Sequence, residues 1–170
     1  AGKKKVILEL GGNAGVIIDE SADIDWAAKR VATGGFAYAG QSCISVQRVF
    51  VHEAVYDDFA ANLVARVESL VVGDPLDGAT DVGPMIDTGE VDRIESWVKE
   101  AVADGARVLT GGTRVGRSAY APTVLEGVPE VERPRPDGLK LVQNALGTRQ
   151  DYHYAEYEPP APPPVPDWLQ

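Results

Sequence analysis

Apolar and polar positions along this chain fall into strand-like and helix-like patterns that alternate. "KKKVILEL" (3–10) runs from a short basic lead into apolar residues and halts at Gly11-Gly12, the pattern of a buried strand. "GVIID" (15–19) gives a second apolar run. "SADIDWAAKRVATGGFAYAG" (21–40) reads as a helix capped by Asp23 or Asp25, with Trp26, Ala27, Val31 and Ala32 at helical spacing. Gly34-Gly35 weakens that helix by about 1 kcal/mol per glycine relative to alanine. "VQRVFVH" (46–52) is a β-rich strand, and "EAVYDDFAANLVARVESL" (53–70) repeats Phe59, Leu63, Val67 and Leu70 as an amphipathic helix.

A turn-rich stretch, "VGDPLDGATDVGPMI" (72–86), precedes a third helix marked by Ile94, Val98, Ala101 and Val102 and ended by Gly105. "ARVLTGG" (106–112) and "YAPTVLEGV" (120–128) supply two more short strands. Strands alternating with helices predict an α/β layered fold, with a largely parallel sheet and flanking helices. From Pro129 the pattern breaks, for nine of the twelve prolines lie between Pro129 and Pro166. "LKLVQNALGTRQDY" (139–152) reads as one marginal helix, and "EYEPPAPPPVPDWLQ" as polyproline II or disordered chain. A boundary is therefore expected near residue 129, with 129–170 a poorly ordered, proline-rich tail.

Composition changes this picture little. The 170 residues are 44% hydrophobic and 25% charged, with a net charge of -10. No stretch joins Lys and Arg to aromatics, which argues against a nucleic-acid surface. One cysteine and two histidines, His52 and His153, give no expected metal site and no internal disulfide. No apolar run is long enough to cross a membrane and no secretory leader is evident, so the expected compartment is the cytoplasm.

Candidate chemistry centres on Cys43 in "GQSCISVQR" and on Glu9 at a strand end before two glycines. A cysteine nucleophile acts as the thiolate, and an unperturbed thiol is mostly protonated at neutral pH, so it needs a nearby base or a positive field. The two residues are 43 − 9 = 34 positions apart, about one strand-loop-helix excursion, so both can return to one cleft. Taken alone, free cysteine is most often buried filler and a carboxylate most often a surface group. "GGNAG" lacks the spacing of a dinucleotide-binding glycine loop. On residue chemistry alone both readings stand.

"LELGGN" at 8–13 followed by "GQSCISVQRVFVH" at 40–52 resembles the signature pair of the aldehyde dehydrogenase superfamily. "VGDPLDGATDVGPMI", "GARVLTGG" and "YAPTVLEGV" resemble that family's next segments in the same order, so the likeness runs from Ala1 to about Val128. The resemblance implies that Cys43 is the nucleophile and Glu9 the general base. It implies a small-molecule aldehyde as substrate, NAD or NADP as hydride acceptor, and Leu10, Gly11 and Gly12 beside the nicotinamide. Residues 1–9 would then be the last strand of a cofactor domain, 10–128 part of the catalytic domain, and 129–170 a divergent tail. Relatives would be homo-oligomers, and this chain by itself inactive. Release of the thioester to coenzyme A is a variant that Glu9 argues against. The contrasting expectation is a catalytically dead remnant that binds a partner through "PPAPPPVP".

Overall fold

The structure, a computed structural model, describes residues 11, 12 and 14–128 and the backbone of 139–144. Among the described residues, five strands form one sheet in the order β1-β2-β5-β4-β3, with three α-helices. β1 (Ala14–Ile18) leads into α1 (Ile24–Phe36), which returns the chain to β2 (Val46–His52) parallel to β1. The α/β layering expected from the sequence is present. Among the described strands, however, the parallel pair is β1 with β2. β5 (Leu139–Asn144) is antiparallel to both β2 and β4, and β3 (Arg107–Thr110) is antiparallel to β4 (Val124–Glu126). Only a long crossover can set neighbouring strands parallel, and among the described pairs only β1 and β2 are joined by a helix.

Over Leu139–Asn144 the structure corrects the expectation of a marginal helix. This segment is a strand hydrogen-bonded on both sides, filling the space between β2 and β4. Without it, each of those strands would present an unpaired row of backbone N–H and C=O groups. "KKKVILEL" and the proline-rich residues 145–170 lie outside the described residues.

Local chemistry accounts for the helices. Asp23 caps α1, its carboxylate accepting the Trp26 N–H at 3.0 Å, while Asp25 instead pairs with Arg66 of α2 (Tyr56–Glu68). Ala27, Ala28, Val31 and Ala32 turn inward, and Trp26, which the helical spacing had grouped with them, is exposed. α2 buries Phe59, Leu63 and Val67; Leu70 lies past its end and is half-buried. α3 (Thr88–Ala103), capped by Asp87, buries Val91, Ile94 and Val98, whereas Val102 is exposed. Gly105, at φ +103°, ends that excursion in a conformation that favours glycine. These faces join Val49 and Val51 of β2 and Val124 and Leu125 of β4 in one hydrophobic cluster. Each large side chain buried there contributes about 1.5–3 kcal/mol.

A polar tie crosses these layers. The Tyr56 hydroxyl donates to Glu126 of β4, which also pairs with Arg107 of β3. Burial, followed by the bond to Glu126, holds the Tyr56 hydroxyl well above the ordinary tyrosine pKa. On the outer face of α3, Arg114 pairs with Asp92 and Glu95, and Lys99 with Glu95. Hydrogen bonds from Arg114 and then Lys99 hold the Glu95 carboxyl below its usual range. No helix among the described residues is long and apolar enough to cross a membrane.

Candidate active site

The segment between α1 and β2 carries Cys43. α1 continues through both glycines, and each has a use there. A Cβ on Gly34 would press on Val46 Cγ2 at 3.1 Å, and buried Gly35 offers its carbonyl to the Ser45 hydroxyl at 3.0 Å. The helix thus approaches β2 closely at the point where the loop must rejoin the sheet. The chain then reverses through Tyr38, Ala39 and Gly40, at φ 53°, 53° and 72°. Left-handed conformation costs a non-glycine residue about 1–2 kcal/mol. Ala39 is buried in this turn, whereas the Tyr38 side chain is 84% exposed. Strained backbone of this kind persists only where the surroundings over-determine it.

Those surroundings are hydrogen bonds. The Gln41 backbone N–H and its side-chain Nε2 both donate to the Tyr38 carbonyl at 3.1 Å. Gln41 Oε1 accepts the Ile86 N–H at 3.0 Å, from a loop 45 positions further on. The Ser45 N–H donates to the Ser42 carbonyl at 3.0 Å and closes the turn. Cys43 stands at its apex as an exposed free thiol. Among the described residues, the N–H groups of Ser42, Cys43 and Ile44 donate to no protein acceptor. Behind the turn, β2 carries a bulge: Ala14 pairs with Val46 and Gly15 with Arg48, leaving Gln47 as the extra residue. Bulges are common beside active sites, where they re-aim the chain.

Gly12 is the second sequence-expected residue at this place. A Cβ on Gly12 would fall inside the van der Waals shell of the Cys43 carbonyl oxygen and 3.4 Å from its carbon. Only glycine allows this approach, so Gly12 and Cys43 meet backbone to backbone. Gly11 is exposed next to it. Glu9 and Leu10, the expected base and third cofactor neighbour, lie outside the described residues. The sequence by itself marks no role for Gln41, Ser45 or Tyr38. Ser45 bonds Gly35 and Gln41 bonds Ile86, partners fixed only by the fold, and tyrosine is not a residue that signals a left-handed turn.

An open groove of ≈ 300 Å³ lies elsewhere, between Val72–Pro75 and Val115–Ala119, and neither Cys43 nor Gly12 lines it. Among the described residues no group of His, Cys, Asp and Glu is arranged to hold a metal ion.

The aldehyde dehydrogenase family model matches residues 1–133. 3-Sulfolactaldehyde dehydrogenase from Priestia aryabhattai is 48% identical over 128 residues, which is 75% of this chain and 27% of that protein. Among solved structures, aldehyde dehydrogenase 21 from Physcomitrella patens, in complex with the reaction product succinate, is 49% identical with a TM-score of 0.71; the match covers 75% of this chain and 27% of that one. Glyceraldehyde-3-phosphate dehydrogenase GapN from Methanocaldococcus jannaschii, complexed with NADP, is 41% identical with a TM-score of 0.70, covering 74% of this chain and 27% of that one. The chain therefore spans about a quarter of the length of the relatives it matches. With Gly12 against the Cys43 carbonyl and the family model covering more than half its residues, the chain belongs to the aldehyde dehydrogenase family.

Proposed function

We propose that this chain carries the nucleophilic part of the catalytic domain of an NAD(P)-dependent aldehyde dehydrogenase. Its substrate is a short aldehyde with an anionic group at the far end. The observation that carries the reading is the exposed Cys43 thiol at the apex of a fixed turn, with Gly12 of the "LELGG" stretch pressed on its carbonyl. The anionic group is supported by the relatives, whose names specify a sulfonated aldehyde, a succinate product and a phosphorylated aldehyde.

In this reading the Cys43 thiolate attacks the aldehyde carbon. A C–S bond forms and the carbonyl π electrons move onto oxygen. The Cys43 N–H, which has no protein acceptor among the described residues, donates to that oxygen. Gly11 and Gly12 fit the edge of a nicotinamide site, since neither presents a side chain and Gly11 is exposed. The chemistry supplied by a bound NAD(P)+ is acceptance of the hydride from that carbon, which leaves a thioester. Glu9, with Leu10 beside it, then takes a proton from water. The water oxygen bonds to the thioester carbon, the C–S bond breaks, sulfur departs as thiolate, and a carboxylate is released. A positioned base of this kind contributes about 10²–10⁴-fold.

The test uses the 170-residue chain and succinic semialdehyde labelled with carbon-13 at the carbonyl. A thiohemiacetal resonance is expected with the wild type and absent in Cys43→Ser. Equal spectra from the two would overturn the reading. Addition of NAD+ or NADP+ is expected to give no reduced cofactor from this chain alone, because holding the acceptor against the carbon is worth about 7–11 kcal/mol.

A further inference from the structure

We infer that Gln41 is a positioning residue for the Cys43 reaction, clamping the cysteine turn against the loop that leads into α3. This rests on the reading of Cys43 as nucleophile.

The turn is strained. Tyr38 and Ala39 hold left-handed backbone that neither residue favours, and Ala39 is buried while doing so. Something must make that conformation cheaper than its alternatives. Gln41 supplies two bonds to the Tyr38 carbonyl, one from its backbone and one from its side chain. The same side chain uses its oxygen to accept the Ile86 N–H. A single amide therefore holds both sides of the turn, donating to one strand of chain and accepting from another. A hydrocarbon of equal length can do neither, and a carboxylate can do only the second.

The geometry gives the clamp a consequence for chemistry. The N–H groups of Ser42, Cys43 and Ile44 lie between the anchors at Gln41 and Ser45, and they are the donors available to an oxygen anion on the substrate. Successive backbone N–H groups bind an anion only while the chain holds them convergent. Loss of the Gln41 side-chain bonds removes the tie to Ile86 and leaves the leading end of that row on the backbone bond to Tyr38 alone, while Ser45 holds the other end. The thiol itself is already exposed, so its simple accessibility does not depend on the clamp. Gln41 thus governs addition to a carbonyl, where an oxyanion forms, and not alkylation, where none does.

The test compares the wild-type 170-residue chain with Gln41→Met and Gln41→Glu. The readouts are the equilibrium constant of thiohemiacetal formation with labelled succinic semialdehyde, the rate of Cys43 alkylation by iodoacetamide, and hydrogen exchange at the Ile86 amide. In Gln41→Met the adduct constant is expected to fall about tenfold. Exchange at Ile86 should rise about fivefold to tenfold, and alkylation should change by less than about twofold. Gln41→Glu, which keeps the acceptor for Ile86, is expected to retain slow Ile86 exchange and an intermediate adduct constant. Should Gln41→Met fail to fold, Gln41→Glu is read by itself, and a wild-type adduct constant there overturns the inference. A parallel fall in adduct formation and alkylation, or unchanged Ile86 exchange, also overturns it. Absence of adduct in the wild type would sink the nucleophile reading and this inference with it, whereas equal adduct formation in wild type and Gln41→Met would sink the positioning role alone.

Discussion

The α1–α2 layer and the turn that carries Cys43 are neighbours in the chain but are held together by different forces. The layer rests on burial: Ala28, Val31, Phe59, Leu63 and Val67 are removed from water and meet Val49 and Val51 of the sheet. Its few polar contacts, such as Arg66 with Asp25, lie at the surface, where ion pairs contribute little. The turn is the reverse. It exposes Cys43, Ile44 and the Tyr38 side chain, stores left-handed strain, and depends on directed hydrogen bonds from Gln41 and Ser45. Burial is tolerant of exact geometry and gives stability. Hydrogen bonds are directional and give position, which is what a reacting atom requires.

Substitutions can test this division, and the largest effect is expected where the sheet itself is cut. A chain ending at residue 138 lacks β5, the strand between β2 and β4, and is expected to lose cooperative unfolding and to aggregate. A chain ending at residue 144 should keep a sigmoidal urea transition. Equal behaviour of the two would show that β5 contributes nothing to the body. Next in size is Phe59→Ala, which empties a fully buried site and should cost roughly 3–5 kcal/mol in urea unfolding while leaving the alkylation rate of Cys43 in the folded chain unchanged.

Gly12→Ala probes the other side of the comparison. The added methyl meets the Cys43 carbonyl, so a stability loss of about 1–3 kcal/mol is expected, smaller than that of Phe59→Ala. It should nevertheless lower thiohemiacetal formation more than Phe59→Ala does, and the opposite ranking would break the division. Tyr56→Phe should cost about 1–2 kcal/mol at neutral pH through the lost bond to Glu126. Because the folded-state pKa of Tyr56 is raised, its contribution is complete below the ordinary tyrosine value near 10 and is lost as pH rises beyond it. The variant should therefore show a shallower alkaline loss of stability than the wild type.

The smallest effect belongs to Tyr38→Asn. Asparagine accepts left-handed backbone more readily, so the melting temperature should stay level or rise slightly, in keeping with relief of about 1 kcal/mol. A clear fall would mean that the exposed ring contributes packing and not strain.

Hydrophobic spacing by itself determined the three helices and four of the strands, and it narrowed the α1 cap to Asp23 or Asp25. Those depend on interactions within a few residues and on which face is apolar, and both are written locally. The motif pair likewise singles out Cys43 and the glycines. The role of residues 139–144 was not legible, because a short run such as "LKLVQN" becomes a strand when two neighbours need backbone partners, and those neighbours come from residues 46–52 and 124–126. Trp26 faces water although its spacing suits a core, since the inward arc of α1 is narrow and is filled by alanines that let α2 come close. The working geometry of the site was decided only by tertiary structure. A glycine at 12 matters because a carbonyl from 43 lies against it, and a glutamine at 41 matters because an amide from 86 reaches it. Such contacts join residues far apart in sequence, and directional bonds between distant segments leave no periodic trace in the chain that forms them.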